Sequence, residues 1–235
     1  MAAIRTARER ARQEVTRAIK DEARRQLAAE GAAKLSLRAV ARELGMVSSA
    51  LYRYFPSRDE LLTALIVDAY NALGDAVDAA VHRTRDESPL VRWLAACHAA
   101  RDWAVAHPHE YGLIHGTPVP GYAAPDDTSG PGVRLPLALV AIATDARRAG
   151  RLHQPPGGPP PPEVLADIAH HVPEHAPELD PTTLALLLAA WGQLLGLLSA
   201  EVFGQFNGVI TDGGAFLTDA TTRIAAGVGI GDEIP

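Results

Sequence analysis

The stretch Leu35-Ser36-Leu37-Arg38-Ala39-Val40-Ala41-Arg42-Glu43-Leu44-Gly45-Met46-Val47-Ser48-Ser49-Ala50-Leu51-Tyr52-Arg53-Tyr54-Phe55-Pro56-Ser57-Arg58-Asp59-Glu60-Leu61-Leu62 decides how this chain folds. Ser36 offers a hydroxyl as helix N-cap. Leu37, Val40, Ala41 and Leu44 follow at i, i+3, i+4 and i+7, one apolar helix face. Gly45 stops that helix and allows a tight turn. A second short helix is expected from about Ser48 to Tyr54, because Pro56 disfavours helical geometry at Phe55. Ser57 with Glu60 three residues later is a capping box, the start signal of a longer helix over about 58–85. That helix is buried through Leu61, Leu65, Ala69, Leu73, Val77 and Ala80. Upstream, Ala11, Val15, Ile19, Ala23 and Leu27 mark a long amphipathic helix over 6–30, with Gly31 placed to end it in a left-handed cap.

A long helix supporting two short ones joined by a glycine turn is a helix-turn-helix. Its last helix can enter the major groove, about 12 Å wide, and present its N-terminal side chains to base edges. Over about residues 11–65 the sequence resembles the N-terminal domain of TetR-family regulators. The segment from Leu51 through Leu62 carries most of that likeness. The resemblance implies a DNA-binding transcription regulator, with double-stranded DNA at a pseudo-palindromic operator as partner. It places Ser36 and Arg38 beside the groove, where Arg38 could reach a phosphate or a guanine edge. Ser48, Ser49, Ala50 and Arg53 match base-reading positions, Arg53 being suited to bidentate contact with guanine. Tyr52 and Tyr54 match phosphate-contacting positions, and Arg58 would clamp a phosphate. Ala41, Leu44, Leu51 and Phe55 read as core. One position departs from the family. Val47 stands where a capping Ser or Thr is common, so either Ser48 or water must cap, and the helix is expected to begin one residue late.

The remaining sequence points to an all-α fold of about nine to ten helices, divided into a head, 1–57, and a body, 58–235. Apolar residues make up 47% of the 235, but aromatics only 5%, so the core is built from Ala, Leu and Val. Further helices are expected at 89–107, 108–115, 133–150, 163–172, 181–204 and 212–226, with a loop over 117–132 and a proline-glycine linker over 154–162. Charge is uneven. Residues 1–60 carry 13 Arg or Lys against 8 Asp or Glu, whereas the rest carries 9 against 20. A basic head on an acidic body suits a polyanion at the head alone. Cys97 is the single cysteine, which excludes an internal disulfide and a cysteine-rich zinc site. The N-terminus lacks the apolar core of a signal peptide. Leu184–Ala200 is nearly all apolar, but its 17 residues fall short of a span and its flanks are acidic, so it reads as a buried helix. A cytoplasmic protein with no membrane partner is expected.

The helix over 181–204 is apolar nearly all round and needs cover on two sides. A second subunit supplies that cover, unless the helix is the central core of a monomer. TetR-like proteins pair through their last two long helices, which places a homodimer interface on Leu184, Leu188, Gly192, Leu195, Gly196, Ala200, Phe203 and Phe216. The resemblance also implies a pocket for a small-molecule effector in the body, and repression released when that effector shifts the helix over 58–85. Trp93, Cys97, Arg101, Trp103, His107, Tyr111, His115, Tyr122 and Trp191 are the candidate lining, each open to a plain core reading. Histidines gather at 107, 109 and 115 and at 170, 171 and 175, but no spacing enforces metal geometry. No cofactor is implied. Neither a phosphate loop nor a nucleophile elbow supports an enzyme, and Cys97 reads as a packed residue. A helical ligand-binding or interaction protein without DNA binding is the other alternative.

Overall fold

The computed structural model describes residues 2–125, 128–155, 158–171 and 178–231. Among these the chain is all helical, with eleven α-helices. They are α1 (Ala2–Glu30), α2 (Leu37–Glu43), α3 (Ser48–Leu51), α4 (Arg58–Arg83), α5 (Pro89–Ala106), α6 (Pro108–His115), α7 (Ser129–Gly132), α8 (Arg134–Arg148), α9 (Pro162–His171), α10 (Pro181–Val202) and α11 (Gly213–Val228). The four-residue α7 is the addition to the sequence-based set. It forms inside the stretch expected to be loop, where proline and glycine leave no periodic signal to read.

Two compact units emerge. The first holds residues 1–69 and 107–129, and the second 70–106 and 130–235. The head unit therefore extends past the boundary drawn at residue 57, taking in the first turns of α4 and all of α6. Its core is Ile19, Ala23 and Leu27 of α1, Leu37, Val40 and Ala41 of α2, Leu51, Phe55, and Leu61, Leu62 and Leu65 of α4. Leu113 of α6, with Val119 and Tyr122 beyond it, packs on this cluster. An ion-pair hub reinforces it. Arg24 of α1 reaches Asp68 of α4 at 2.8 Å and Glu110 of α6 at 2.9 Å, and Lys20 also reaches Asp68 at 2.9 Å.

The body unit is organised around α5, which packs against α8, α10 and α11. Small residues on α5 (Ala96, Cys97, Ala100 and Ala104, all fully buried) let its neighbours approach closely. Leu139 and Ile142 of α8, Leu194 and Leu198 of α10, and Leu217 of α11 complete the core. Asp180 caps α10 through the Thr183 amide at 3.0 Å, with Pro181 at the first helical position. By length and composition α10 is the one described helix that could cross a membrane. In the fold it packs against α5, α8, α9 and α11, but only 33% of its apolar window is buried, so the buried-helix reading holds for one side of it.

Candidate nucleic-acid interface

Local chemistry shapes the α2–turn–α3 unit. Ser36 accepts a hydrogen bond from the Ala39 amide at 3.4 Å, the expected N-cap of α2. At the other end, Gly45 takes φ +63°, which glycine adopts without strain. The Met46 amide donates to the Ala41 carbonyl at 2.8 Å and the Gly45 amide to the Arg42 carbonyl at 3.1 Å, together a Schellman closure. Gly31 behaves differently from expectation. Its φ is +81° but its ψ is 162°, so α1 ends in a glycine-only extended turn rather than a left-handed helical cap.

Val47 is the N-cap of α3, with φ −68° and ψ 136° and no side-chain cap. The delayed start expected for this helix is thus not found, nor is capping by Ser48, which already lies inside the first turn. The Ala50 amide donates to the Val47 carbonyl at 2.9 Å. Beyond Leu51 the bonds are mixed: Arg53 to Ala50 at 3.2 Å and Tyr54 to Leu51 at 2.8 Å span three residues, whereas Tyr52 to Ser48 at 3.2 Å and Phe55 to Leu51 at 3.1 Å span four. The helical path therefore reaches Tyr54 as expected, but its last turn is not α-helix.

Arg38, Ser48, Ser49, Tyr52 and Arg53 are exposed, and Ser36, Ala50 and Tyr54 are half-buried. The exposed set presents hydroxyls and guanidinium groups, the donors that base edges and phosphates accept. Leu51 and Phe55 point inward as expected, 0% and 7% exposed. Arg58 holds a different place from the phosphate clamp suggested by sequence. Its guanidinium donates to the carbonyls of Ala32 at 2.9 Å, Ala33 at 3.3 Å and Leu35 at 3.2 Å, pinning α4 to the start of α2. Sequence reasoning missed this role because the carbonyls lie 23 to 26 residues away.

Comparison with known proteins settles the family. Residues 19–65 match the model for bacterial regulatory proteins of the tetR family, and residues 93–224 match the tetracyclin repressor-like C-terminal domain. The chain belongs to the TetR family. It is 40% identical over 224 residues to the HTH-type transcriptional regulator Rv1816 of Mycobacterium tuberculosis, covering 93% of each chain. A solved structure described as a regulatory protein, SCO4313, is 37% identical with a TM-score of 0.73, covering 92% of this chain and 97% of that one. The TetR-family regulator PfmR from Thermus thermophilus shares the fold at a TM-score of 0.59 and 16% identity, covering 92% and 98%. This TetR-family protein is accordingly a transcriptional regulator with a helix-turn-helix DNA-binding head.

The candidate effector residues fall into two groups. In the body unit of this TetR-family chain, Trp93, Cys97 and Trp103 are buried core, and Trp191 is half-buried. Burial pushes the Cys97 thiol up to about 12, so it stays protonated and non-nucleophilic at neutral pH. Arg101 is held by Glu201 of α10, with Nε to Oε2 at 2.8 Å. In the head unit, Tyr111 is buried against His115 with ring centroids 5.1 Å apart, and the Tyr122 hydroxyl meets Thr63 Oγ1 at 2.9 Å. His107 is exposed. Among the described residues no group of three His, Cys, Asp or Glu side chains is placed to hold a metal ion. His175 and the His171 side chain lie outside the described residues.

The family's last two long helices correspond to α10 and α11. Between them runs an open apolar groove lined by Leu186, Ala189, Gln193, Gly196 and Leu197 of α10 with Ile224 of α11, among others. Of the residues expected at a dimer contact, Leu188, Gly192, Gly196 and Phe203 are exposed, and Leu195 and Phe216 are half-buried. Leu184 and Ala200 instead turn inward, 6% and 9% exposed. A helix apolar on nearly every side gives periodicity no means of telling its inner face from its outer one. The groove accordingly uses Leu186 and Leu197, which are not among the residues expected at the dimer contact.

Proposed function

We propose that this regulator is a cytoplasmic homodimeric repressor that binds a pseudo-palindromic operator and leaves it when a small apolar or aromatic molecule binds the body. What chiefly supports the reading is the α10–α11 groove. It is open and apolar, and a side chain at Gly192 or Gly196 would meet nothing within 4 Å. Two such surfaces packed about a two-fold axis form a four-helix contact, and a two-fold dimer carries two recognition helices, as a two-fold operator requires. Ser48, Ser49, Ala50 and Arg53 read bases, while Tyr52, Tyr54 and Arg38 position the head on the backbone. An effector acts by favouring a head separation that DNA rejects. In this scheme α4, unbroken from Arg58 to Arg83, is the element that shifts.

The test joins oligomeric state to DNA binding. Leu197→Glu places a charge among the groove-lining residues without touching the head. Sedimentation should show a dimer for the parent chain at micromolar concentration and a monomer for the variant. On a duplex selected from a random library, the variant should bind at least 100-fold more weakly. A monomeric parent chain, or a variant that stays dimeric with undiminished affinity, contradicts the proposal.

A further inference from the structure

The first turns of α1 bury no side chain of their own. Every described side chain from Thr6 to Glu14 is exposed, including Ala11, which the apolar stripe was expected to bury. These nine residues extend α1 beyond the part that packs on the head core. They also precede residue 19, where the family match begins.

Their charge is organised. Val15, Ile19 and Ala23 face the head core along one side of α1. Toward the N-terminus, helical spacing from Val15 and Ile19 leads to Arg12 and Arg8, so the same side turns from apolar to basic. Arg12 shows what this side faces. Its guanidinium lies 5.4 Å from the Tyr54 ring centroid, and Nη2 donates to the Arg53 carbonyl at 3.5 Å. The basic side of α1 thus meets the exit of the recognition helix. Arg8 projects from the same side one turn, about 6 Å, further out. Arg10, bonded to the Thr6 carbonyl at 3.4 Å, stands on the opposite side.

We propose that this side of α1, through Arg8, is a second DNA contact that grips the phosphate backbone of the same duplex beyond the recognition helix. The inference rests on DNA binding by the head. Three features select DNA backbone as the occupant: exposed arginines, the lack of any large apolar side chain from Thr6 to Glu14, and continuity with the recognition element. Phosphate contacts carry no base preference, so this arm adds affinity and register rather than specificity.

Binding of the full chain to a duplex selected from a random library, and to its scrambled counterpart, should be followed across a salt series. Arg8→Ala should weaken both duplexes alike and flatten the slope of log K against log salt by about 0.9 per chain. Hydroxyl-radical footprints should shorten at their outer ends. Arg8→Lys should restore the slope, and Arg10→Ala should leave it unchanged. An unaltered slope and footprint in Arg8→Ala overturn the inference. Equal losses in Arg8→Ala and Arg10→Ala overturn it too, since general charge would then explain the effect. If the parent chain binds no duplex, the DNA reading itself falls and takes this inference with it.

Discussion

Arg58 offers a test that separates two roles for one side chain. Arg58→Met keeps the apolar stem and removes all the donors. The guanidinium spans three carbonyls at 2.9, 3.2 and 3.3 Å, all belonging to the segment that leads into α2. Hydrogen bonds to a charged group contribute about 1.5–3 kcal/mol each when well formed. This side chain is 29% exposed, so water can replace part of what is lost. A total near 2 kcal/mol is the reasonable expectation, equivalent to about a 30-fold rise in local opening. The three tryptophans, Trp93, Trp103 and Trp191, all lie in the body unit and do not report on the head. Hydrogen exchange by mass spectrometry over residues 32–44 does. Those amides should exchange roughly 30-fold faster in Arg58→Met, with body amides unaffected. Unchanged exchange over 32–44, combined with a shallower salt dependence of DNA binding, would refute the pinning role and restore Arg58 as a phosphate ligand.

Val47→Thr supplies the cap that α3 lacks at a position of suitable geometry and should stabilise the head by about 0.5–1 kcal/mol, read as slower exchange over 48–54. Gly213→Ala would drive a Cβ into the Glu201 carboxylate and to 2.9 Å from Arg101 Nη2. Disrupting that part-buried pair should cost about 1–2 kcal/mol, seen as a lower unfolding midpoint by tryptophan fluorescence. Burial pushes the His115 imidazole down to about 4 from its ordinary 6.5. Between those values the unfolded chain takes up a proton that the folded chain refuses, so stability falls as pH drops from 6.5 to 4 and then levels off. The loss is at most about 3 kcal/mol, and His115→Gln should remove it when urea midpoints at pH 7 and pH 4.5 are compared.

Much of the head was legible because its signals are local. The Ser36 and Ser57 caps, the Gly45 turn and the spacing of Leu37, Val40, Ala41 and Leu44 each lie within one or two turns of the residues they organise. Relations across distance were not legible. Arg24 joins α1 to partners 44 and 86 residues away, and nothing in its surroundings in sequence names Asp68 or Glu110. Arg58 matches a phosphate-contact position of the family, yet the carbonyls upstream of α2 occupy it. In α10, Leu184 and Leu197 are equally apolar, and only the packed body determines that the first turns inward while the second lines the groove. Val47 shows the reverse case, in which a local rule predicted a late helix start and α3 begins at Ser48 with Val47 itself as N-cap.

Sequence reading by the exposed face of the recognition helix, with Arg53 as its base-specific donor, is the claim on which the rest depends. The most direct measurement compares the parent chain and Arg53→Ala on a selected duplex and on all single-base variants of it. A loss of about 1–3 kcal/mol is expected on the selected site, with discrimination abolished at one base pair per half-site and retained at the others. Equal affinity of the two proteins for every duplex, with the full base preference intact, would contradict it.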